Sequence, residues 1–242
     1  MYLNYLKKTA ELNYINNIIE NLSSLNLEVE NFLDLGCSDG VTTLKVAEAV
    51  NSKNILGIDG DLQALKIFLK ILNKTNLLHK KVTLKKLNLE KKNWNLKKNY
   101  YDFIFANQVI EHMYDVDNFV KNIKNSLKKN SFLLISTENL ACLHNVLSLI
   151  LGYQPFSLAN MSTKKWTIGN PFSRIEGHNS NFMKHRAVFT VAALEEFLKL
   201  HNFKIIKKIV AGYFPLPNNF IGNFFSKIDP RRANYIAILC KK

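Results

Sequence analysis

The chain has only three cysteines among its 242 residues, and Cys37, Cys142 and Cys240 stand far apart. No two of them form a C-x-x-C pair, so the sequence predicts neither a zinc site nor a disulfide framework. The sequence also lacks a run of about eighteen uninterrupted apolar residues and the basic-then-apolar layout of a signal peptide. These absences lead us to expect a cytoplasmic protein.

Arginine is scarce as well: the only arginines are Arg174, Arg186, Arg231 and Arg232. The formal net charge of +14 therefore comes almost entirely from lysines. A charge of that size suits nucleic acid or an anionic membrane surface. Specific recognition of phosphates and base edges, however, uses the planar fork of arginine. A solvated lysine surface is therefore favoured over a polyanion site, and nucleic acid stays an open but not a favoured partner.

Short apolar runs and amphipathic helices alternate between residues 29 and 137. Five runs have the composition of buried strands: NFLDLG, NILGID, VTLKKLNL, YDFIFANQVI and SFLLIST. Three segments between them have helical spacing of apolar residues: VTTLKVAEAV, DLQALKIFLKIL and VDNFVKNIKNSL. A further amphipathic helix over residues 2–25 should pack at the edge of the core. This alternation predicts an α/β fold with a parallel sheet covered on both faces.

We expect one domain over residues 1–242, divided into four parts. An N-terminal helix (1–28) precedes the alternating core (29–137), and an insertion (138–187) precedes a C-terminal helix with two strands (188–242). Thr190 is the expected N-cap of that helix. The insertion is too long for a plain connection, and its polar and aromatic second half suits a lid over a substrate.

A glycine-containing turn follows the first strand in FLDLGCSDGVTTL, with Asp34 at the strand end and Gly36 and Gly40 in the turn. Glycine lets the backbone approach a ligand closely, and the helix start that follows favours a negatively charged group. The turn therefore predicts a nucleotide-like cofactor. A dinucleotide fingerprint does not fit, because Ser38 and Val41 occupy its second and third glycine positions.

The same turn resembles motif I of class I S-adenosylmethionine-dependent methyltransferases, D/E-x-G-x-G-x-G, with Ser38 in place of the middle glycine. The resemblance implies a Rossmann-like, doubly wound seven-stranded sheet whose last strand is antiparallel, with a lid-like insertion after the fifth strand. It also implies that the backbone of Gly36, Cys37 and Ser38 lies against the methionine part of the cofactor. Asp34 would hold the cofactor's ammonium group, and Gly40 would complete the turn.

Downstream residues match further cofactor positions of that family. Asp59 ends an apolar run about twenty residues after the turn, where an acid accepts hydrogen bonds from ribose hydroxyls. Gly60 and Asp61 follow it, and Asn88 and Leu89 resemble the family's adenine-binding pair. The alternatives are an ordinary strand-end aspartate and a common loop asparagine.

The segment YDFIFANQVIEHM resembles the family's D-x-I-x-x-x-x-V-I/L-E-H passage, which implies that Asn107 and Gln108 border the transferable methyl group. His112 follows, as catalytic base or as a structural link to the next helix. The segment GHNSNFMKHRAVFT resembles a passage of quinone and sugar O-methyltransferases. It offers His178 and His185 as further candidates for a base or a substrate contact.

The resemblance implies methyl transfer to oxygen, with nitrogen or carbon less favoured, of a small-molecule, sugar or lipid-linked acceptor. For the last of these, the apolar segment LACLHNVLSLILGY would lie on a membrane surface. One alternative is an RNA or protein methyltransferase, although Asn107-Gln-Val-Ile lacks the D/N-P-P-Y/F passage of many such enzymes. Another is a non-catalytic binding protein. No clustered histidine and carboxylate spacing indicates a metal, and the oligomeric state stays open.

Overall fold

The computed structural model describes residues 2–74, 81–162, 168–172, 184–216 and 220–242. Its seven strands are β1 (Val29–Leu35), β2 (Ser52–Asp59), β3 (Lys81–Lys86), β4 (Tyr101–Asn107), β5 (Leu127–Glu138), β6 (Lys204–Ala211) and β7 (Tyr235–Lys241). Its α-helices are α1 (Tyr2–Ser23), α2 (Val41–Ala49), α3 (Leu62–Leu72), α4 (Val116–Ser126), α5 (Leu143–Ile150), α6 (Val191–Leu200) and α7 (Phe220–Ile228).

All seven strands form one sheet in the order β3-β2-β1-β4-β5-β7-β6. The strands from β3 to β5 pair in parallel, whereas β7 pairs antiparallel with both β5 and β6. The predicted seven-stranded α/β sheet with an antiparallel last strand is thus confirmed. Since the chain order reverses between β1 and β4, a crevice opens beyond the carboxyl ends of these two strands.

Successive side chains of the central strands point to opposite faces of the sheet and pack in two separate hydrophobic cores. Phe32 and Phe103 stack at 5.7 Å on one face, where α1 and α2 cover the sheet. Leu33 and Ile104 point to the other face, which α4 and α6 cover. The N-terminal helix is an integral layer of the first core, because its residue Ile18 is fully buried there.

Several predicted boundaries differ from the observed ones. The strand predicted to run to residue 110 ends at Asn107, because Gln108 adopts a left-handed conformation (φ 55°) and a 3-10 helix follows at Ile110–His112. The strand predicted over residues 82–89 ends at Lys86. The N-cap role of Thr190 is confirmed, since its hydroxyl accepts a hydrogen bond from Ala193 N–H.

Helix α7 was not predicted from the sequence. Its segment FIGNFFSKI is amphipathic, but with nine residues and an internal glycine it shows the helical period over few turns. None of the helices described is both long enough and apolar enough to cross a membrane.

Candidate functional site

The turn after β1 is fixed by glycine conformation and by backbone hydrogen bonds. Gly36 and Gly40 both have φ of 80°, and the N–H groups of Gly36 and Cys37 donate to the carbonyl of Ile58 at 2.8 and 3.0 Å. A Cβ atom on Gly36 would lie 2.5 Å from a methyl carbon of Val109. The turn therefore lies so close to the segment after β4 that only glycine, which has no Cβ, fits at position 36.

The departure from the family motif at Ser38 is accommodated locally. Ser38 adopts φ of 48° and its side chain is exposed, so the residue meets no packing conflict in the left-handed region. Its N–H donates to Oδ2 of Asp59 at 2.8 Å. Oδ1 of Asp59 accepts from the N–H of Asp61 at 2.8 Å, so one carboxylate joins the turn to the loop after β2. Each of these oxygens retains a second acceptor position.

Asp34 is the buried carboxyl of the site, with 2% of its surface exposed. Oδ2 accepts a hydrogen bond from the Thr43 hydroxyl at 2.5 Å, whereas Oδ1 has no hydrogen-bond partner in the described part of the chain. Burial raises the pKa of Asp34 to about 7, and the neighbouring Asp59 adds to the shift. A carboxyl in this position gains most from a cationic ligand.

The predicted adenine-side residues have local structural partners. The Asp61 carboxylate caps α3 by accepting from Gln63 N–H, and Oδ1 of Asn88 accepts from Glu90 N–H at 2.9 Å. Leu89 is buried, and its carbonyl accepts from the indole of Trp94. Gly60 is exposed, with no side-chain atom near the position of a Cβ. Their predicted contacts with a cofactor stay predictions.

A polar network from three elements surrounds the end of β4. Oδ1 of Asn107 accepts from the hydroxyls of Tyr14 at 2.9 Å and Ser136 at 2.8 Å. Gln108 N–H donates to both the carbonyl and the hydroxyl of Ser136. Burial raises the pKa of Tyr14, so its phenol stays a donor. Tyr14 was not predicted as a site residue, because it lies 93 positions from Asn107 in the sequence.

Glu111 and His112 lie in the 3-10 helix, and His185 lies beside them. Glu111 is 1% exposed, and the ring centroids of His112 and His185 lie 5.0 Å apart. One potential ligand atom from each residue lies within 4.8 Å of those of the other two. Glu138, at the end of β5, places Oε2 3.5 Å from Nδ1 of His185. Glu138 was not among the predicted site residues.

Burial controls the ionisation of this group. It raises the pKa of Glu111 to about 8, with the Glu138 carboxylate adding to the shift. It lowers the pKa of His112 to about 4, and the neighbouring His185 lowers it further. The pKa of His144, which lies between the rings of Phe156 and Phe214, is lowered to about 4 by the same cause. His112 and His144 are therefore neutral imidazoles at neutral pH.

The end of the predicted insertion is attached to the same region. The N–H groups of Arg186 and Ala187 donate to the carbonyl of Glu111 at 2.6 and 3.2 Å. The Arg186 guanidinium donates to the carbonyl of His112 and lies 3.4 Å from the ring centroid of Tyr114. His185 is brought to His112 by this attachment, whereas the predicted His178 lies outside the described residues.

A glycine turn at the switch point of a doubly wound sheet, followed by an acid at the end of the next strand, defines a nucleotide-cofactor α/β fold. The antiparallel β7 makes it the class I methyltransferase fold. The chain belongs to a methyltransferase family, since residues 6–208 match the family model described as "Methyltransferase domain". The prediction of a class I S-adenosylmethionine-dependent methyltransferase, and hence of an enzyme with that cofactor, is confirmed.

Solved structures share this fold at low sequence identity. An S-adenosylmethionine-dependent methyltransferase from Mesorhizobium loti has a TM-score of 0.57 and 14% identity, covering 90% of this chain and 92% of its own. An S-adenosylmethionine-dependent methyltransferase from Aquifex aeolicus also has a TM-score of 0.57 and 14% identity, and the match covers 99% of this chain and 97% of that protein. A possible histamine N-methyltransferase from Thermotoga maritima has a TM-score of 0.57 and 14% identity, covering 94% and 89%. No curated protein matches the chain by sequence.

The buried carboxyl of Asp34 predicts a pH-dependent stability. The folded chain keeps this proton up to about pH 7, whereas the unfolded chain releases it near 3.8. Raising the pH between these values therefore lowers the free energy of unfolding. The free energy of unfolding of the wild type, compared with that of Asp34→Asn, should fall by up to about 1.4 kcal/mol per pH unit across this window. Urea unfolding at a series of pH values measures this difference.

Asp117→Asn is the control for this measurement, because the Asp117 carboxylate is 76% exposed and distant from the site. Its stability difference from the wild type should lack the steep decline from about pH 4 to pH 7. A flat difference between wild type and Asp34→Asn would contradict the raised pKa of Asp34.

Proposed function

We propose that the chain transfers a methyl group from S-adenosylmethionine to an oxygen of a small-molecule, sugar or lipid-linked acceptor. The main observation in favour of a cofactor site beside the glycine turn is the buried carboxyl of Asp34, whose Oδ1 has no hydrogen-bond partner among the described residues. A ligand with an ammonium group would satisfy that oxygen and supply the cation that the carboxyl lacks. The residues present therefore fit this cofactor.

Each predicted cofactor residue has a distinct role in this proposal. The backbone of Gly36, Cys37 and Ser38 would hold the methionine part, and Asp59 would accept from the ribose hydroxyls with the lone pairs that Ser38 and Asp61 leave available. Gly60, Asp61, Asn88 and Leu89 would border the adenine, and Asn107 and Gln108 the methyl group. When bound, the cofactor supplies a methyl group on a sulfonium, which needs alignment with a nucleophile more than further activation.

His185 is the proposed proton acceptor for the acceptor hydroxyl. Its Nδ1 lies 2.8 Å from the carbonyl of Ser157, which can only accept, so Nδ1 carries the hydrogen and Nε2 the lone pair. The Glu138 carboxylate stabilises the imidazolium that forms when Nε2 takes a proton. His112 is the weaker base because burial lowers its pKa to about 4, and it serves to position the acceptor. His178 stays a candidate.

The segment 138–187 is the proposed lid over the acceptor. Its described aromatic residues are Tyr153, Phe156 and Phe172, which are the proposed wall residues, and Trp166 and Phe182 lie outside the described residues. Arg186 and Ala187 attach its end to Glu111, so closure would exclude water from His185. An oxygen acceptor is favoured over carbon or nitrogen because Nε2 of His185 is placed as the acceptor of a hydroxyl proton.

A glycine pair tests the cofactor site. Gly36 and Gly152 both have positive φ, but a Cβ on Gly152 meets no atom within 4 Å, whereas one on Gly36 meets Val109. Replacing each by alanine imposes similar backbone strain, and only Gly36→Ala moves the turn. By calorimetric titration with S-adenosylmethionine, Gly36→Ala should bind at least about tenfold more weakly than wild type, a loss of about 1.4 kcal/mol. Gly152→Ala should bind normally.

Thermal unfolding of both variants separates loss of the site from loss of the fold. A folded wild-type chain that binds neither S-adenosylmethionine nor S-adenosylhomocysteine would refute the proposed function and leave only the fold. Equal weakening by the two alanine variants would refute the role of the Gly36 turn.

A second pair tests the base. Hydroxylated aromatics, sugars, lipid-linked sugars, amines and RNA are incubated with the chain and cofactor, and S-adenosylhomocysteine release identifies the acceptor. With that acceptor, His185→Gln should lower kcat by about 10²-fold or more while cofactor affinity is unchanged. His201→Gln is the control, because His201 pairs with the exposed Asp117 on α4. Acceptance of RNA or amines alone, or an unchanged kcat for His185→Gln, would contradict the proposal.

Exposed apolar side chains favour a lipid-linked acceptor reached from a membrane surface. On α5, Ile150 is 73% exposed, and on α7, Phe224 and Ile228 are 50% and 63% exposed. Lys227 lies in the last turn of α7. Apolar side chains beside lysines are typical of helices that lie in the interface of an anionic bilayer. We propose that these two helices contact such a surface.

Flotation with lipid vesicles tests this contact. Wild-type protein should float with vesicles of phosphatidylglycerol and phosphatidylcholine, and less with phosphatidylcholine alone. The double variant Phe224→Ser, Ile228→Ser should lose most of the bound fraction. Leu200→Ser, which alters a leucine on α6 that is 74% exposed, should keep it. Failure of the wild type to float at low salt would refute membrane contact without bearing on cofactor binding.

A further inference from the structure

We propose that Glu111, His112 and His185 form a binding site for a divalent transition-metal ion such as Zn²⁺. One potential ligand atom from each of the three lies within 4.8 Å of the others. Two imidazoles and one carboxylate are a ligand set that suits zinc and its neighbours rather than magnesium or calcium. Zinc–ligand bonds of about 2.0–2.2 Å would require side-chain rotations that bring these three ligand atoms closer together.

Backbone carbonyls orient both imidazoles for metal binding. Nδ1 of His112 lies 3.3 Å from the carbonyl of Lys184, and Nδ1 of His185 lies 2.8 Å from that of Ser157. A carbonyl only accepts, so both Nδ1 atoms carry hydrogen and both Nε2 atoms keep a lone pair. Histidines that bind metals have this arrangement, in which a carbonyl or carboxylate holds the second ring nitrogen.

Glu111 supplies a buried carboxyl that has no cationic partner and that a metal ion could bind in place of its proton. Its side chain is 1% exposed, and the charged group that acts on it most is another carboxylate, Glu138. Arg186 lies nearby but contacts the His112 carbonyl, the Tyr114 ring and Glu90. No ion pair to Glu111 occurs in the part of the chain described here. A bound divalent ion would compensate the charges of Glu111 and Glu138 together.

The sequence could not indicate this site, because its ligands come from two segments 73 positions apart. The hydrogen bonds from Arg186 and Ala187 to Glu111 bring His185 to His112. A metal ion on Nε2 of His185 would also occupy the lone pair that takes the acceptor's proton. Zn²⁺ should therefore inhibit methyl transfer, and this inhibition, unlike the binding itself, rests on the proposed function.

Direct titration tests the site. Chelator-treated full-length protein is titrated calorimetrically with Zn²⁺, and with Co²⁺ while its visible absorption is recorded. The wild type should bind one ion at this site. His185→Gln and Glu111→Gln should each weaken binding at least about tenfold, since even residues that only support metal ligands commonly contribute that much. His201→Gln and Cys142→Ser are matched controls that should bind as the wild type does.

Binding of S-adenosylmethionine and thermal unfolding of the same samples distinguish the two proposals. Wild-type protein that binds the cofactor but neither ion would overturn the metal site and leave methyl transfer intact. Ion binding without cofactor binding would support the metal site and overturn the proposed function. Ion binding that survives His185→Gln but is lost in Cys142→Ser would place the ion at a thiol and overturn the proposal.

Discussion

The parallel pairing of β1 with β2 on one side and β4 on the other determines where the site lies. Asp34 stands opposite Gly57 of β2 and Phe105 of β4, so all three strands end at nearly the same level. The turn after β1 is then held to the Ile58 carbonyl and pressed against Val109. A larger residue at Gly36 would separate these strand ends, which is why the turn, the acid after β2 and the segment after β4 form one unit.

The elements that the sequence predicted correctly are those whose signal is local. A strand ending in a glycine turn, as at Asp34 to Gly40, and an N-cap such as Thr190 depend on residues within one or two turns of each other. The antiparallel last strand came from the family resemblance. Helix α7 was missed because its nine residues, which include a glycine, show the helical period over fewer turns than the eleven residues of α4.

The part of the site that could not be predicted depends on contacts between distant segments. Tyr14 reaches Asn107 from α1, and Glu138 reaches His185 from the end of β5. Neither residue has a neighbour in sequence that marks it as functional. His112 and His185 were candidates as separate residues, but only the fold brings their rings to 5.0 Å and places the Glu111 carboxyl beside them. Their joint chemistry is therefore a property of the tertiary structure.

The surface of the chain is basic, whereas the buried groups of its site are acidic. The net charge of +14 resides mainly in lysines, whose field water and salt screen within about 10 Å. Inside the crevice the acidic groups are the carboxyls of Asp34 and Glu111, both almost fully buried. Burial makes each of these carboxyls costly to ionise without a partner, and therefore selective for a cation. The surface attracts anions, whereas a buried carboxyl without a partner favours a cation, which is the basis of the proposed ammonium contact at Asp34 and the proposed metal site at Glu111.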